Sequence, residues 1–161
     1  MSKWVGSFSG DLEFLSNMSK CSIIFNESND PRFPADGLTY PSSENLYQAL
    51  KHIHISDRIK YTTCTPFESK KLSRKIMVIR PDWDDVRVDV MKLVIDLKFR
   101  NNYYAQKLVK IEGPIEELNN WGDKFWGKCL NFKTGKYEGQ DNLGIVLTNK
   151  RNELLEVINK S

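Results

Sequence analysis

The chain has 161 residues, 40% of them hydrophobic and 28% charged, enough to bury a core without staples and too apolar for a disordered chain. Lys and Arg number 24 against 21 Asp and Glu, a net charge of +3, which permits an anionic ligand but lacks the basic excess of a protein that grips duplex nucleic acid by charge alone. No apolar run approaches the ~20 residues that cross a bilayer, the first ten residues lack a signal-type apolar stretch, and Cys21, Cys64 and Cys129 have no paired spacing, so a disulfide framework and a zinc cluster are both excluded. The expectation is a single domain over 1–161, cytoplasmic, without a membrane partner.

Ser22-Ile23-Ile24-Phe25 reads as a strand, 26–36 as a loop and Gly37-Leu38-Thr39-Tyr40 as a short return strand, together a small antiparallel ribbon. From Pro41 the period becomes helical. A first helix is predicted from Ser43 to about Ile55, with Leu46, Ala49, Leu50 and Ile53 on one face and Glu44, Gln48 and Lys51 on the other. Thr65-Pro66-Phe67-Glu68 opens a second, with a Thr cap, Pro at the first position and Glu three after the cap. A third follows Pro81-Asp82-Trp83 and runs to about Phe99. Its two apolar stripes, Val86/Val90/Leu93/Val94/Leu97 and Val88/Met91/Ile95/Phe99, mark a helix packed between layers. A short helix from Tyr103 to about Val109, a possible strand at Ile115–Leu118 and a last helix from Leu143 complete the reading. That last helix would carry Leu147, Leu154 and Ile158 on one face, with Asp141 or Asn142 as its cap. Helix dominates and strands are few: the fold class is α+β, helix-dominated with small antiparallel strands.

Two segments carry chemistry-bearing patterns. Residues 119–127, Asn-Asn-Trp-Gly-Asp-Lys-Phe-Trp-Gly, are too aromatic for a solvated connector. They read either as a flat wall with Asp123 beside it for proton handling, or as a loop that closes the core with Asp123 as a turn residue. Gly122, Gly127 and Lys128 mimic phosphate-loop spacing, but Cys129 stands where Ser or Thr would bind magnesium and the loop interior is bulky, so that reading fails. The second pattern is Glu44/Gln48/Lys51 with Tyr47 at its border: the wet side of an amphipathic helix, or an acid/base and a nucleophile or phosphate contact facing a cleft. His52 and His54 diverge on a helix and no third His exists, which disfavours a metal site. Asn17 is either a turn residue or an amide for a ligand, and Arg151 either a surface ion-pair partner or a ligand anchor.

Taken in order, Phe14-Leu15-Ser16-Asn17, Gly37 through Glu44 with Tyr47-Gln48-Ala49 and Lys51, Arg80-Pro81-Asp82-Trp83 with Met91 and Lys98-Phe99, Trp121-Gly122-Asp123 with Phe125-Trp126-Gly127, and Asn142-Leu143-Gly144 closing at Arg151 resemble the NADAR, or YbiA-like, family over nearly the whole chain. Ser73 departs from the family's usual Gly before the basic residue at Arg74, a Thr-Gly near Lys110 is missing, and 26–34 looks inserted. The resemblance implies a YbiA-like fold and N-glycosidase chemistry: hydrolysis of a bond between C1 of a phosphorylated ribose and an exocyclic amine. It implies two substrate types, ADP-ribose on the amino group of guanine in nucleic acid, and the ribosylamino-pyrimidine phosphates of early riboflavin synthesis. It assigns Glu44 to water or proton handling and Asp123 to the ribose side, roles that can be exchanged. Lys51 attacks C1 through an imine or holds a phosphate. Phe14, Tyr47, Trp83 and Trp126 are the aromatic contacts, and Asn17, Gln48, Asn142 and Arg151 the polar ones. Such chemistry requires no metal or redox cofactor. The partner is ADP-ribosylated nucleic acid or a small ribosylated heterocycle, the former preferred for the mild basicity; an ADP-ribosyltransferase toxin counterpart is left open, and a non-catalytic ADP-ribose binder is the reading from another class.

Overall fold

The structure, a computed structural model, describes residues 8–76 and 78–160; the segment MSKWVGS, which bears on the reading of a missing signal segment, lies outside them. The architecture is α+β, as expected. The chain divides into two compact units, one formed by Asn17–Lys98 and the other by the residues before Asn17 together with Phe99 onward. No helix among the described residues is long and apolar enough to cross a membrane.

In the unit 17–98, β1 (Ile23–Ile24) pairs antiparallel with β2 (Thr39–Tyr40), Ile23 opposite Tyr40. The loop between them is tied from within. Asp36 accepts the Leu38 N–H at 2.9 Å and the Tyr40 hydroxyl at 2.7 Å, and its carboxylate meets the Arg58 guanidinium at 3.3 Å with both side chains buried. Phe33, fully buried, lies under two guanidinium groups, Arg32 at 5.0 Å and Arg80 at 4.9 Å from its ring centre.

Four α-helices follow among the described residues, α1 (Ser43–Ala49), α2 (Ile55–Arg58), α3 (Pro66–Lys75) and α4 (Trp83–Lys98), with a 3-10 turn (Ile59–Tyr61) after α2. The capping box at Thr65 forms as the sequence predicts, the Thr65 hydroxyl accepting the Glu68 N–H at 3.1 Å and the Glu68 carboxylate accepting the Thr65 N–H. Both stripes of α4 are buried except at Val88, so this helix is the centre of its unit. The first helix is shorter than predicted. The Lys51 and His52 carbonyls, which would have continued it, are taken by the Arg80 N–H at 2.7 Å and the Arg58 Nε at 2.8 Å. Its last turn tightens into i to i−3 bonds, and Ile53, expected on the apolar face, is exposed.

In the other unit a 3-10 helix (Gly10–Leu15) precedes α5 (Asn102–Val109), β3 (Leu118–Asn119), β4 (Lys128–Asn131), β5 (Lys136–Glu138) and α6 (Asn142–Lys160). β3 lies parallel to β4, and β4 pairs antiparallel with β5 through Leu130 opposite Tyr137. The β4–β5 hairpin is absent from the sequence reading. Its signal was Thr134-Gly135 between two short polar strands, with Gly135 at φ 72° completing the turn. The strand expected at Ile115–Leu118 forms only at its last residue and Asn119. In α6, Leu147 is buried but Ile158 is exposed, so the predicted stripe packs only in the helix's first half.

Candidate active site

α1 is held at its start by three hydrogen bonds, two of them through side chains. Ser42 accepts the Asn45 N–H at 3.1 Å, the Asn17 carbonyl accepts the Glu44 N–H at 3.0 Å, and the Ser43 hydroxyl donates to Asn17 Oδ1 at 3.0 Å. The Asn17 amide also donates to the Met91 sulfur at 3.3 Å. Asn17, expected to meet a ligand, is engaged in fixing the helix that carries Glu44. On the opposite side the Asn45 amide donates to the carbonyls of Tyr61 and Cys64, both at 2.9 Å. With partners on each side, every residue of α1 is buried, and the wet-face reading of Glu44 and Gln48 is overturned.

What remains on that face is a row of groups built for chemistry. The Gln48 amide donates to Glu44 Oε1 at 2.7 Å, one turn along the helix. Glu44 is 5% exposed, and burial raises its carboxyl above the ordinary range even though Gln48, Lys70 and Lys51 each pull the other way. Desolvation outweighs the Gln48 hydrogen bond and the nearby cations here, so this carboxyl holds its proton more firmly than an exposed one. Beyond Gln48, the half-buried Lys51 ammonium donates to Ser73 Oγ at 2.9 Å. Burial first and Arg74 second lower its basicity, against Glu44. Its nitrogen stands 5.9 Å from the Tyr47 ring centre and 5.6 Å from that of Trp83, and the two rings lie 5.2 Å apart at 58°. Among the described residues, Gln48 Oε1 is buried with no hydrogen-bond partner. Buried acceptors rarely go unmatched, so a bound donor is its natural partner.

Ser73 was noted in the sequence only as a departure from the family's Gly; the structure makes it the hydroxyl that holds Lys51. Ser43 and Met91, read in the sequence as a helix start and a stripe residue, gain their contacts with Asn17 only through tertiary structure. No periodicity singles out a lone Ser.

The aromatic loop in the other unit is organised differently. Asp123 Oδ1 accepts the N–H groups of Phe125 at 3.1 Å and Trp126 at 2.9 Å, while Asn119 bonds the Asp123 backbone from both ends at 3.1 and 2.8 Å. The turn-residue reading of Asp123 therefore describes its Oδ1, and Oδ2 has no hydrogen bond among the described residues. Trp126 meets Phe125 edge-on at 4.8 Å. Asn142 donates from both its backbone and its side chain to the Phe125 carbonyl, at 3.1 and 2.9 Å. Asp123, Trp126 and Asn142 are thus brought together. Phe14 is buried edge-on to Phe99 at 6.5 Å, under the Lys107 ammonium at 4.8 Å. Arg151 is buried and donates to the carbonyls of Ile111, at 3.0 Å, and Gly113, which makes it the clamp of the turn after α5.

Asp141, missed as more than a cap, organises this loop's far side. It adopts φ 57°, accepts the Glu117 N–H at 2.9 Å, and is buried enough that its carboxyl rises to about 6. Gly144 is required beneath it, because a Cβ there would collide with the Asp141 carboxylate and the Ile115 carbonyl. Among the described residues no three His, Cys, Asp or Glu are grouped to hold a metal.

A buried carboxyl, an amide and a weakened ammonium in one row beside two aromatic rings are the equipment of an acid–base or nucleophilic enzyme acting on a flat or cyclic ligand. The fold places them in a small α+β protein. The chain belongs to the NADAR domain family, whose model matches residues 7–155. It is 27% identical over 124 residues to N-glycosidase YbiA of Escherichia coli, covering 74% of this chain and 73% of that protein. It is 30% identical over 147 residues to the riboflavin biosynthesis protein VVA0006 of Vibrio vulnificus, and 28% identical over 157 to the chloroplastic riboflavin biosynthesis protein PYRR of Zea mays. Each of these matches covers 89% of this chain, which spans 36% of the Vibrio protein and 23% of the maize one. The NMR structure of E. coli YbiA superposes with a TM-score of 0.78 at 22% identity, over 99% of this chain and 89% of that one, and shows the same fold.

Proposed function

We propose that this protein is an N-glycosidase that cleaves the bond between ribose C1 and an exocyclic amine, with ADP-ribosylated guanine in nucleic acid as preferred substrate. The observation that carries the reading is the Glu44–Gln48–Lys51 row, with its carboxyl raised and its ammonium weakened by burial. Breaking C1–N builds positive charge on the sugar and negative charge on the departing amine, so catalysis needs a nucleophile at C1 and a proton for nitrogen. A neutral Lys51 adds to C1 as the C1–N bond breaks, and the leaving amine takes a proton from Glu44. The Lys51–C1 adduct then opens by breaking the C1–ring-oxygen bond, the ring oxygen taking the proton from the Lys51 nitrogen. The open-chain imine is hydrolysed to free sugar and Lys51 by water that Glu44, now ionised, activates. If Lys51 stays charged, Glu44 activates water for direct attack instead. Tyr47 and Trp83 flank the ammonium and offer faces to the heterocycle. Gln48 Oε1 accepts a substrate hydroxyl or N–H. The resemblance further implies a ribose-side role for Asp123 and substrate contact for Trp126 and Asn142. A cytoplasmic setting accords with three free cysteines.

Riboflavin-named relatives favour a second reading within the same chemistry, with ribosylamino-pyrimidine phosphates as substrate. Incubation with an ADP-ribosyl-guanine oligonucleotide and, separately, with a ribosylamino-pyrimidine phosphate decides the order. Faster amine release from the oligonucleotide is expected; faster release from the pyrimidine reverses the preference, and binding without release from either leaves a non-catalytic binder. Borohydride added during turnover should trap sugar on the wild-type chain and none on Lys51→Arg, which keeps the charge but cannot form an imine. Full turnover by Lys51→Arg would leave only direct water attack.

A further inference from the structure

Beside the row on α1 lies a charged edge that the chemistry above does not use. α3 packs against α1, and Ser73 on α3 receives the Lys51 ammonium at 2.9 Å. Lys70 and Arg74 stand one turn apart on α3 and flank Ser73 in sequence, so they form a stripe next to the buried Ser69–Ser73 face. Lys70 acts electrostatically on Glu44, and Arg74 on Lys51. Neither has a hydrogen-bond or ion-pair partner among the described residues, whereas Arg32, Arg58, Arg80, Arg87, Arg100 and Arg151 all have partners. Lys70 and Lys51 thus act on the buried Glu44 carboxyl, and Arg74 acts on Lys51. Like charges gathered without counter-charge are self-repelling, and an anion seated among them removes the repulsion.

We propose that Lys70 and Arg74 are a phosphate-binding edge that takes the 5-phosphate of a ribose ligand; the identity of the sugar rests on the N-glycosidase reading. The 5-phosphate is common to ADP-ribose and to ribosylamine monophosphates. On a sugar whose C1 meets Glu44 and Lys51, it projects from the far side of the ring. The Arg74 fork suits two phosphate oxygens and the Lys70 ammonium a third. This assignment also separates two roles left open for Lys51: with the phosphate held on α3, Lys51 is free for C1.

Titration calorimetry with ribose 5-phosphate, ribose and ADP-ribose tests the edge on the whole chain. Wild type should bind ribose 5-phosphate at least about tenfold more tightly than ribose. Lys70→Ala and Arg74→Ala should each weaken ribose 5-phosphate and ADP-ribose by about tenfold, and the double variant should lose the preference over ribose. Lys71→Ala with Lys75→Ala, an equal charge change one step round the same helix, should leave both affinities as they were. In turnover the edge variants should raise KM with kcat held. The proposal is overturned by equal losses in the control pair, by losses confined to ADP-ribose, or by a wild type that ignores ribose 5-phosphate. A wild type that binds the phosphate through Lys70 and Arg74 yet releases no amine sinks the glycosidase reading and leaves the edge standing. One that cleaves with a KM blind to both cations sinks the edge alone.

Discussion

Two carboxylates stood out in the sequence, Glu44 on a helix and Asp123 in an aromatic loop, and the structure gives them opposite surroundings. Glu44 is buried against one side-chain donor among the described residues, Gln48, so desolvation governs it and its proton affinity rises. Asp123 receives two backbone N–H groups on one oxygen and orders the turn that carries Phe125 and Trp126. A carboxylate's partners, more than its residue type, decide whether it moves protons or holds a loop. The contrast extends to the neighbours: Asn17 and Asn142 both serve as braces, one for the helix that presents Glu44 and the other for the loop that presents Trp126.

The sharpest way to break this contrast is to neutralise both acids. Glu44→Gln should lower turnover by about a hundredfold or more, the usual scale for lost acid–base catalysis, while the thermal midpoint stays level or rises because a buried acid is gone. Asp123→Asn keeps an oxygen for both N–H groups, so the fold should survive; a loss of about a hundredfold is expected if Oδ2 works on the sugar. Near-wild-type turnover by Asp123→Asn would reduce it to a brace and leave Glu44 as the acid of the site.

A second prediction concerns pH. Asp141 titrates at about 6 when folded against an ordinary 3.8, so the folded chain holds that proton more firmly than the unfolded one. Its contribution to stability is therefore greatest below about pH 4 and is lost as pH rises through about 6. Asp141→Asn should remove that slope, and Asn tolerates the positive φ. Urea midpoints at pH 4 and 7 check it: an identical pH slope in the two proteins would show that Asp141 is not buried as described. The smallest expected effect is at the cap of α3, where Thr65→Ala should cost about 1 kcal/mol in urea denaturation and leave KM and kcat near wild type. A large kinetic effect from that change would mean that α3 is coupled to the row more tightly than its Ser73 contact implies.

The local signals were legible because their physics is local. Thr65-Pro66-Phe67-Glu68 caps a helix through bonds within four residues, the two stripes of α4 follow from 3.6-residue periodicity, and Ile23-Ile24 and Thr39-Tyr40 pair as β propensity suggests. The residues Glu44, Gln48 and Lys51 could also be placed on one face by spacing alone. What tertiary structure decided was the environment of that face. Asn17, Tyr61 and Cys64 surround α1 and exclude water from a side that looked wet. Arg58 and Arg80 cut the helix short by claiming its carbonyls, and Ser73 meets Lys51 from 22 residues away. Burial, and with it every shifted proton affinity, depends on which distant segments pack together, and no periodicity along one segment encodes that.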